Sequence, residues 1–409
     1  MLKLVIKFIR FAIYNVFMYI RSLFWKRDNT IVLVGGWFGK KFADNSRYLF
    51  QYLSDNKKKL GLKNVVWVTH NKEDLVNLKS MGYEAYLMES KESIDYHKKA
   101  GIHIVCNSSS GNGDIKGEYS YGAIKINLWH GNGVKAVGYA SNKFVKSMGG
   151  EGILLNLFRN LYKSCKLFRG LTSKGGWADC YYIATSEKSA EFLKENFLLS
   201  DRNIIISNYP RHCECNRLLD IENEIIDQVK KRKTVLYLPT FRTENSKFDL
   251  NEVLSCMSSI SKKQDYLFIV KPHPASNINL NKNEDILVLP QNFDINVLIP
   301  YVSLLMTDYS SCAYDAMYFG KPVLYYIPDY MEYLNGNNGF LDDPEKYMIG
   351  EKIENIIDLE NGIYTALEKS QINENYKALV NLLWDNNKGL EEIWNDIINR
   401  AEVKETCCG

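Results

Sequence analysis

The sequence predicts an α/β protein: two doubly wound parallel sheets, each its own domain, preceded by an amphipathic helix. Three observations carry this. At 409 residues the chain is too long for one ordinary core and suits two domains of about 180 residues each. Short apolar runs alternate with helix-period segments along most of its length, the pattern of parallel sheets covered by helices. Four of those runs end in clusters of His, Lys, Arg, Ser or Thr, and open α/β sheets bind ligands outside the carboxyl ends of their strands.

The elements follow in order. Residues 2–25 are rich in Leu, Ile, Phe and Tyr, with Lys3, Lys7, Arg10 and Arg21 among them. At the helical rotation those cations fall within roughly 60° of one another, together with Tyr14, leaving the rest of the wheel almost wholly apolar. The longest uncharged run, Phe11 to Ile20, is half of what a spanning helix needs. A narrow basic stripe on an apolar body suits a helix lying in the membrane interface; a spanning anchor and a helix packed on the protein's own surface are the other two readings. Strands are expected at Ile31–Val34, Val65–Thr69, Glu84–Met88, Ile102–Cys106, Ile124–Leu128, Tyr182–Thr185 and Ile204–Ser207. Gly35-Gly36-Trp37-Phe38-Gly39 forms the first turn, without the spacing of a dinucleotide fingerprint. Lys135 to Lys174 holds eight Lys and Arg against one acid, Glu151. Within it, Ile153–Gly170 reads as a helix with Arg159, Lys163, Lys166 and Arg169 on one side and Leu154, Leu157, Leu161, Cys165 and Phe168 on another. Such a stripe is either core-facing or turned toward lipid head groups or a polyanionic acceptor. The second sheet is expected from Val235–Leu238, Tyr266–Val270, Ile286–Leu289, Val302–Met306 and Val323–Tyr326, with helical pattern from Pro344 to Val403 that either stays with the second domain or crosses back onto the first. The division is therefore 1–28 as the amphipathic helix, 29–217 as the first domain with the basic segment 135–178 inserted, and 218–409 as the second.

Composition excludes more than it selects. A net charge of +3 gives no global argument for nucleic acid, and no zinc-finger, RRM-like or helix-turn-helix pattern occurs. Cys106, Cys165, Cys180, Cys213, Cys215, Cys256, Cys312, Cys407 and Cys408 have no framework spacing and read as reduced thiols. His212, Cys213 and Cys215 are too closely spaced for an ordinary zinc site. No metal or other cofactor is expected.

The four polar strand ends are Trp129-His130-Gly131 with Lys135 behind it; Pro239-Thr240-Phe241-Arg242; Lys271-Pro272-His273-Pro274; and Thr307-Asp308-Tyr309-Ser310-Ser311 followed by Asp315 and Gly320-Lys321-Pro322. Tyr209-Pro210-Arg211 follows Ile204–Ser207, the strand that closes the first sheet, and precedes the Pro239 motif in the chain. Ser310 and Ser311 present donors to an anion such as phosphate, or Asp308 and the serines cap a helix. In this order the motifs resemble the CDP-glycerol glycerophosphotransferase family, the teichoic-acid and capsule polymerases and primases of GT-B fold. The resemblance covers residues 120–340 closely and everything after residue 30 more loosely.

That resemblance implies a GT-B-like pair of domains facing a cleft and transfer of glycerol phosphate, or another polyol phosphate, from a CDP-alcohol to a hydroxyl of a membrane-linked acceptor, with CMP released. An acceptor hydroxyl must lose a proton while the transition state spreads charge over phosphate oxygens. His130 and His273 are the expected catalytic residues, the first as base and the second as donor to the pyrophosphate. Arg211 and Arg242 are candidates to clamp the diphosphate, with Thr240, Ser310 and Ser311 adding donors and Asp308 in support. Asp315 either reaches the ribose or cytosine or makes a helix salt bridge. Trp129, Gly131 and Lys135 fall on the acceptor side. Two departures stand out: Asn132-Gly133 where the family usually has a Thr-Pro-like pair, and Asn337-Asn338 where it tends to place an arginine before Gly-Phe. The expected partners are a CDP-polyol, a lipid-linked or polymeric acceptor and an anionic membrane surface on the cytoplasmic side, with no nucleic acid. A nucleotide-sugar transferase on the same scaffold and a non-catalytic assembly protein remain as alternatives.

Overall fold

The computed structural model describes residues 2–107, 111, 113–214, 217–240, 248–272, 286–334, 339–368 and 372–406. The chain forms two compact units. The first comprises residues 1–130, 138–217 and 386–409; the second comprises 131–137 and 218–385. Two segments thus depart from a single division after Arg217. The stretch 131–137 leaves the first unit, and the last helix, Leu390–Thr406, rejoins it.

In the first unit, α1 (Leu2–Ser22) leads into seven strands: β1 (Asp28–Val34), β2 (Asn64–Thr69), β3 (Ala85–Leu87), β4 (Ala100–Val105), β5 (Ile124–Asn127), β6 (Tyr181–Ala184) and β7 (Ile204–Ile206). Their order is β3-β2-β1-β4-β5-β6-β7 and every pairing is parallel. The order reverses between β1 and β4, the switch point where a doubly wound sheet opens a crevice. Both faces are covered, so β4 is buried throughout. Trp67 at the centre is fully buried and meets Phe42 and Phe50 edge-on, at 4.9 and 5.4 Å between ring centroids. An aromatic side chain so placed contributes about 1.5–3 kcal/mol from burial. Ile393, Trp394 and Ile397 of the last helix join the same cluster.

The second unit repeats the plan with six parallel strands: β8 (Lys233–Leu238), β9 (Tyr266–Val270), β10 (Ile286–Val288), β11 (Leu304–Thr307), β12 (Val323–Tyr326) and β13 (Glu351–Ile353), ordered β10-β9-β8-β11-β12-β13. Its core joins Tyr237, Phe268 and Met306 to Val253, Met257 and Ile260 of the helix Leu250–Lys263. β13 lies inside a region whose pattern reads as helical; its three residues, Glu-Lys-Ile, pair with β12 through main-chain bonds that carry no sequence periodicity.

The basic segment also differs from a single helix. It breaks at Cys165, in extended conformation, into Ile153–Ser164 and Lys166–Thr172. Arg169 is not on the solvent side. Its buried guanidinium donates to the carbonyls of Tyr162 and Lys163 and satisfies the end of the preceding helix. Leu154, Leu157 and Leu161 do point outward, whereas Leu155 and Tyr162 face in.

Candidate active site

The first unit gathers its polar groups around the switch point. After β1 the chain turns sharply at Gly35–Gly39. A Cβ on Gly35 would stand 1.9 Å from the carbonyl oxygen of Asp114, so only glycine fits. Asp114, fully buried, accepts from the main-chain N–H of Phe38 at 2.7 Å with one oxygen, and from those of Cys106 and Asn107 with the other. One carboxylate thereby ties the loops after β1 and β4 together. Three non-glycine residues here hold left-handed backbone: Trp37, Phe38 and Asp44, with φ of 47°, 55° and 64°. Such geometry costs about 1–3 kcal/mol per residue and persists only where neighbours enforce it.

The turn after β5 is strained in the same way. Trp129 has φ of 56°. Its N–H donates to Asn127 Oδ1, and its carbonyl accepts from Asn45 Nδ2 at 2.8 Å. Asn45 begins α2 (Asp44–Asp55) and also accepts from the N–H of Arg211. Held by this frame, His130 is half-buried and lies against Trp129, with ring centroids 4.1 Å apart. His130 Nδ1 lies 3.1 Å from the carbonyl of Cys106. A carbonyl can only accept, so Nδ1 carries the proton and Nε2 is the basic nitrogen of the neutral ring.

Arg211 is 2 % exposed and its guanidinium donates to Asp44 Oδ1 at 2.6 Å. Asp44 Oδ2 accepts from the indole of Trp37. Arg211 is committed to a buried carboxylate of its own unit, so clamping a diphosphate would require giving up that pair. Asp44, Asn45 and Asp114 are not marked in the sequence by any local spacing. His212 Nδ1 lies 3.3 Å from Asn208 Oδ1, and Cys213 Sγ points to the carbonyl of Lys388.

In the second unit Asp308 ends β11 at that sheet's own switch point. Its Oδ2 accepts from the N–H and hydroxyl of Thr240, at 2.9 and 3.1 Å, and its Oδ1 from the N–H of Tyr309. Asp308 thus joins the ends of β8 and β11. Ser310 and Ser311 follow, both half-buried, ahead of the helix Cys312–Tyr318, in which Asp315 is buried. Lys271 donates to the carbonyl of Phe293 and braces the end of β9. His273 and Arg242 lie outside the described residues.

Gly131 and Lys135, expected on the acceptor side, belong to the second unit instead. Lys135 pairs antiparallel with Phe340; the N–H of Ala136 donates to Gly339, and that of Leu341 to Val134. The Lys135 amine sits 5.3 Å over the ring of Tyr333, which stacks at 3.7 Å on Tyr309. The loop that carries a departure from the family pattern therefore packs beside Thr-Asp-Tyr-Ser-Ser, with Gly133 near Ser311 and Tyr314.

Two Rossmann-like parallel-sheet units with polar groups at their strand ends define a transferase of GT-B architecture. Residues 15–389 match the model of the CDP-glycerol:poly(glycerophosphate) glycerophosphotransferases, and the chain belongs to that family. It is 24% identical over 371 residues to the teichoic acid poly(glycerol phosphate) polymerase of Bacillus spizizenii (strain ATCC 23059 / NRRL B-14472 / W23), covering 87% of this chain and 86% of that protein. To the teichoic acid glycerol-phosphate primase of Bacillus subtilis (strain 168) it is 25% identical over 252 residues, covering 60% and 61%. The solved wall teichoic acid polymerase TagF superposes with a TM-score of 0.68 at 19% identity, over 96% of this chain and 93% of that one.

Proposed function

We propose that this glycerophosphotransferase moves glycerol phosphate from CDP-glycerol to a hydroxyl of a membrane-linked acceptor during synthesis of a teichoic-acid-like or capsular polymer. The observation that carries the catalytic assignment is the fixed tautomer of His130. Nε2 takes the proton of the acceptor hydroxyl as that oxygen attacks the β-phosphorus. A new P–O bond forms, the bond to CMP breaks, and CMP leaves with the electron pair. Charge on the phosphoryl oxygens is met by the hydroxyls of Ser310 and Ser311 and by the cations Arg242 and Lys135, while the Thr240 hydroxyl donates to Asp308 and joins the two strand ends. His273 steadies the departing CMP. Arg211 serves by holding Asp44 and, through its N–H, Asn45 under the His130 turn. CDP-ribitol is the competing donor.

Among the described residues no helix is long and apolar enough to cross a membrane. Peripheral attachment to a membrane is supported by α1. One of its faces packs on the first unit through Asn15 and Met18, while Ile9, Ile13, Val16, Phe17 and Ile20 are exposed on the other.

His130→Gln tests the base. With CDP-glycerol and a lipid-linked acceptor, CMP release should fall about 10²–10⁴-fold while donor affinity stays within a factor of two or three. Near-normal turnover removes His130 from the reaction, and UDP release from a UDP-sugar in place of CMP would reassign the enzyme to glycosyl transfer.

A further inference from the structure

His130 Nδ1 donates to the carbonyl of Cys106, just after β4. The N–H of the same peptide unit, that of Asn107, donates to Asp114 Oδ2 at 2.7 Å. The peptide is trans, so its C=O and N–H point to opposite sides and join imidazole, peptide and carboxylate in one chain. We infer that Asp114 is a positioning residue for the reaction: its carboxylate polarises the Cys106–Asn107 peptide, and through it fixes the Nδ1–H tautomer of His130 and stabilises the imidazolium formed when Nε2 takes up a proton. This assignment rests on His130 being the base.

Three features argue for that role. A carbonyl whose own peptide N–H is bonded to a charge becomes a stronger acceptor, and a low dielectric enlarges the effect. Cys106 and Asp114 are fully buried and Asn107 is 8 % exposed, so water does not screen this chain. Next, both ends are held before any substrate arrives. The other oxygen of Asp114 takes the N–H of Phe38 at 2.7 Å, and Oδ2 also takes that of Cys106 at 3.1 Å. At the far end, Asn45 grips the carbonyl of Trp129, next to His130. A dipole set in advance needs no rearrangement when charge develops. Last, the other ionisable groups close by do not replace Asp114. The charge of Asp44 is met by Arg211, and the Lys41 amine lies 4.9 Å over the ring of Trp37. Burial, with Asp44 and Asp114 adding to it, pushes the Cys106 thiol well above its ordinary range and keeps it neutral.

The test follows the His130 ring by NMR titration of the full-length protein without donor or acceptor, His130→Gln identifying its signal. Asp114→Asn removes the charge and keeps the size, and should lower the His130 midpoint by roughly one pH unit. With CDP-glycerol and a lipid-linked acceptor, the same variant should lose about ten- to hundredfold in kcat at pH 7, keep KM for CDP-glycerol within about threefold, and show the acid limb of kcat displaced by the same unit. A carboxylate that only ties the two loops together would leave the midpoint in place, and that result overturns the inference. If Asp114→Asn fails to fold, wild type decides. The Asn107 amide signal should shift with the His130 midpoint. The Cys106 amide shares the same carboxylate oxygen, but the carbonyl of its peptide, at Val105, accepts from Leu128. Its signal should move less than half as far, and equal movement of the two, or none, overturns the inference. The two readings fail separately: near-normal turnover in His130→Gln removes the base and leaves the titration result standing, whereas an unmoved midpoint removes Asp114 and leaves His130 as the base.

Discussion

Asp44 and Asp74 are both buried in the first unit, and their neighbours decide what each does. Asp44 faces the Arg211 guanidinium, so its charge is met within the protein. Asp74 has only the Phe42 N–H as a bonded donor, with Glu73, Arg47 and Lys41 acting at longer range. Burial raises its pKa from 3.8 to about 7. In the unfolded chain the same carboxyl ionises near its ordinary value. Between about pH 4 and pH 7 ionisation therefore favours the unfolded state, and stability declines as pH rises through that window, levelling off above it. Asp74→Asn removes the ionisation and keeps an oxygen for the Phe42 N–H. Its melting temperature should match wild type near pH 4 and exceed it at pH 8 by about 8–16 °C, for a relief of roughly 4 kcal/mol. A pH-independent difference in scanning calorimetry would show that Asp74 stays ionised when folded. At this scale the sequence exposed the residues whose chemistry is rare: His130 is one of only six histidines, and Ser310-Ser311 stand at a strand end. It hid Asp44, Asn45 and Asp114, because an aspartate that bridges two loops looks like any turn aspartate until the loops are side by side.

Elements were legible to within a few residues where burial imposes a pattern. β9 and β12 begin and end where their apolar runs do, and β8 and β5 differ by one or two residues at an end. Legibility failed where main-chain or long-range partners decide, as at β13 and at the Cys165 break, where Arg169 satisfies two helix-end carbonyls from seven and six residues away. The α1 helix is an intermediate case. Its cations marked one stripe, but which apolar face would be covered depended on contacts with residues 171 and 173, carried through Asn15. Its far end is anchored by Arg27, whose guanidinium donates to the carbonyls of His97, Ala100, Tyr119 and Tyr121, and by Trp25 stacked on Tyr119. The exposed face is thus presented by a fixed helix. Ile13→Glu with Phe17→Glu should weaken sedimentation with anionic phospholipid vesicles more than tenfold and leave the melting temperature within about 2 °C, since both side chains already face outward. Undiminished vesicle binding would transfer the attachment to Leu154, Leu157 and Leu161.

At the scale of the whole molecule, each unit has, among the described residues, a hydrophobic cluster of its own that shares no residue with the other, one around Trp67 and Leu49 and one around Phe268 and Met257. Two cores predict two unfolding transitions, provided each unit keeps its stability largely to itself. Leu49→Ala and Met257→Ala identify them: each deletes fully buried side-chain volume, costs about 2–5 kcal/mol and should lower one transition only. The donor groups assigned here, Thr240, Asp308, Ser310 and Ser311, all lie in the second unit. A nucleotide that binds the folded state alone stabilises the unit that binds it, by about 2.7 kcal/mol at a hundredfold excess over Kd. CDP-glycerol should therefore raise the Met257-linked transition by about 5–10 °C and leave the Leu49-linked one in place. A shift confined to the Leu49-linked transition would move the donor to the first sheet, and with it the role given to Arg211, because a diphosphate there would have to compete with Asp44 for the guanidinium.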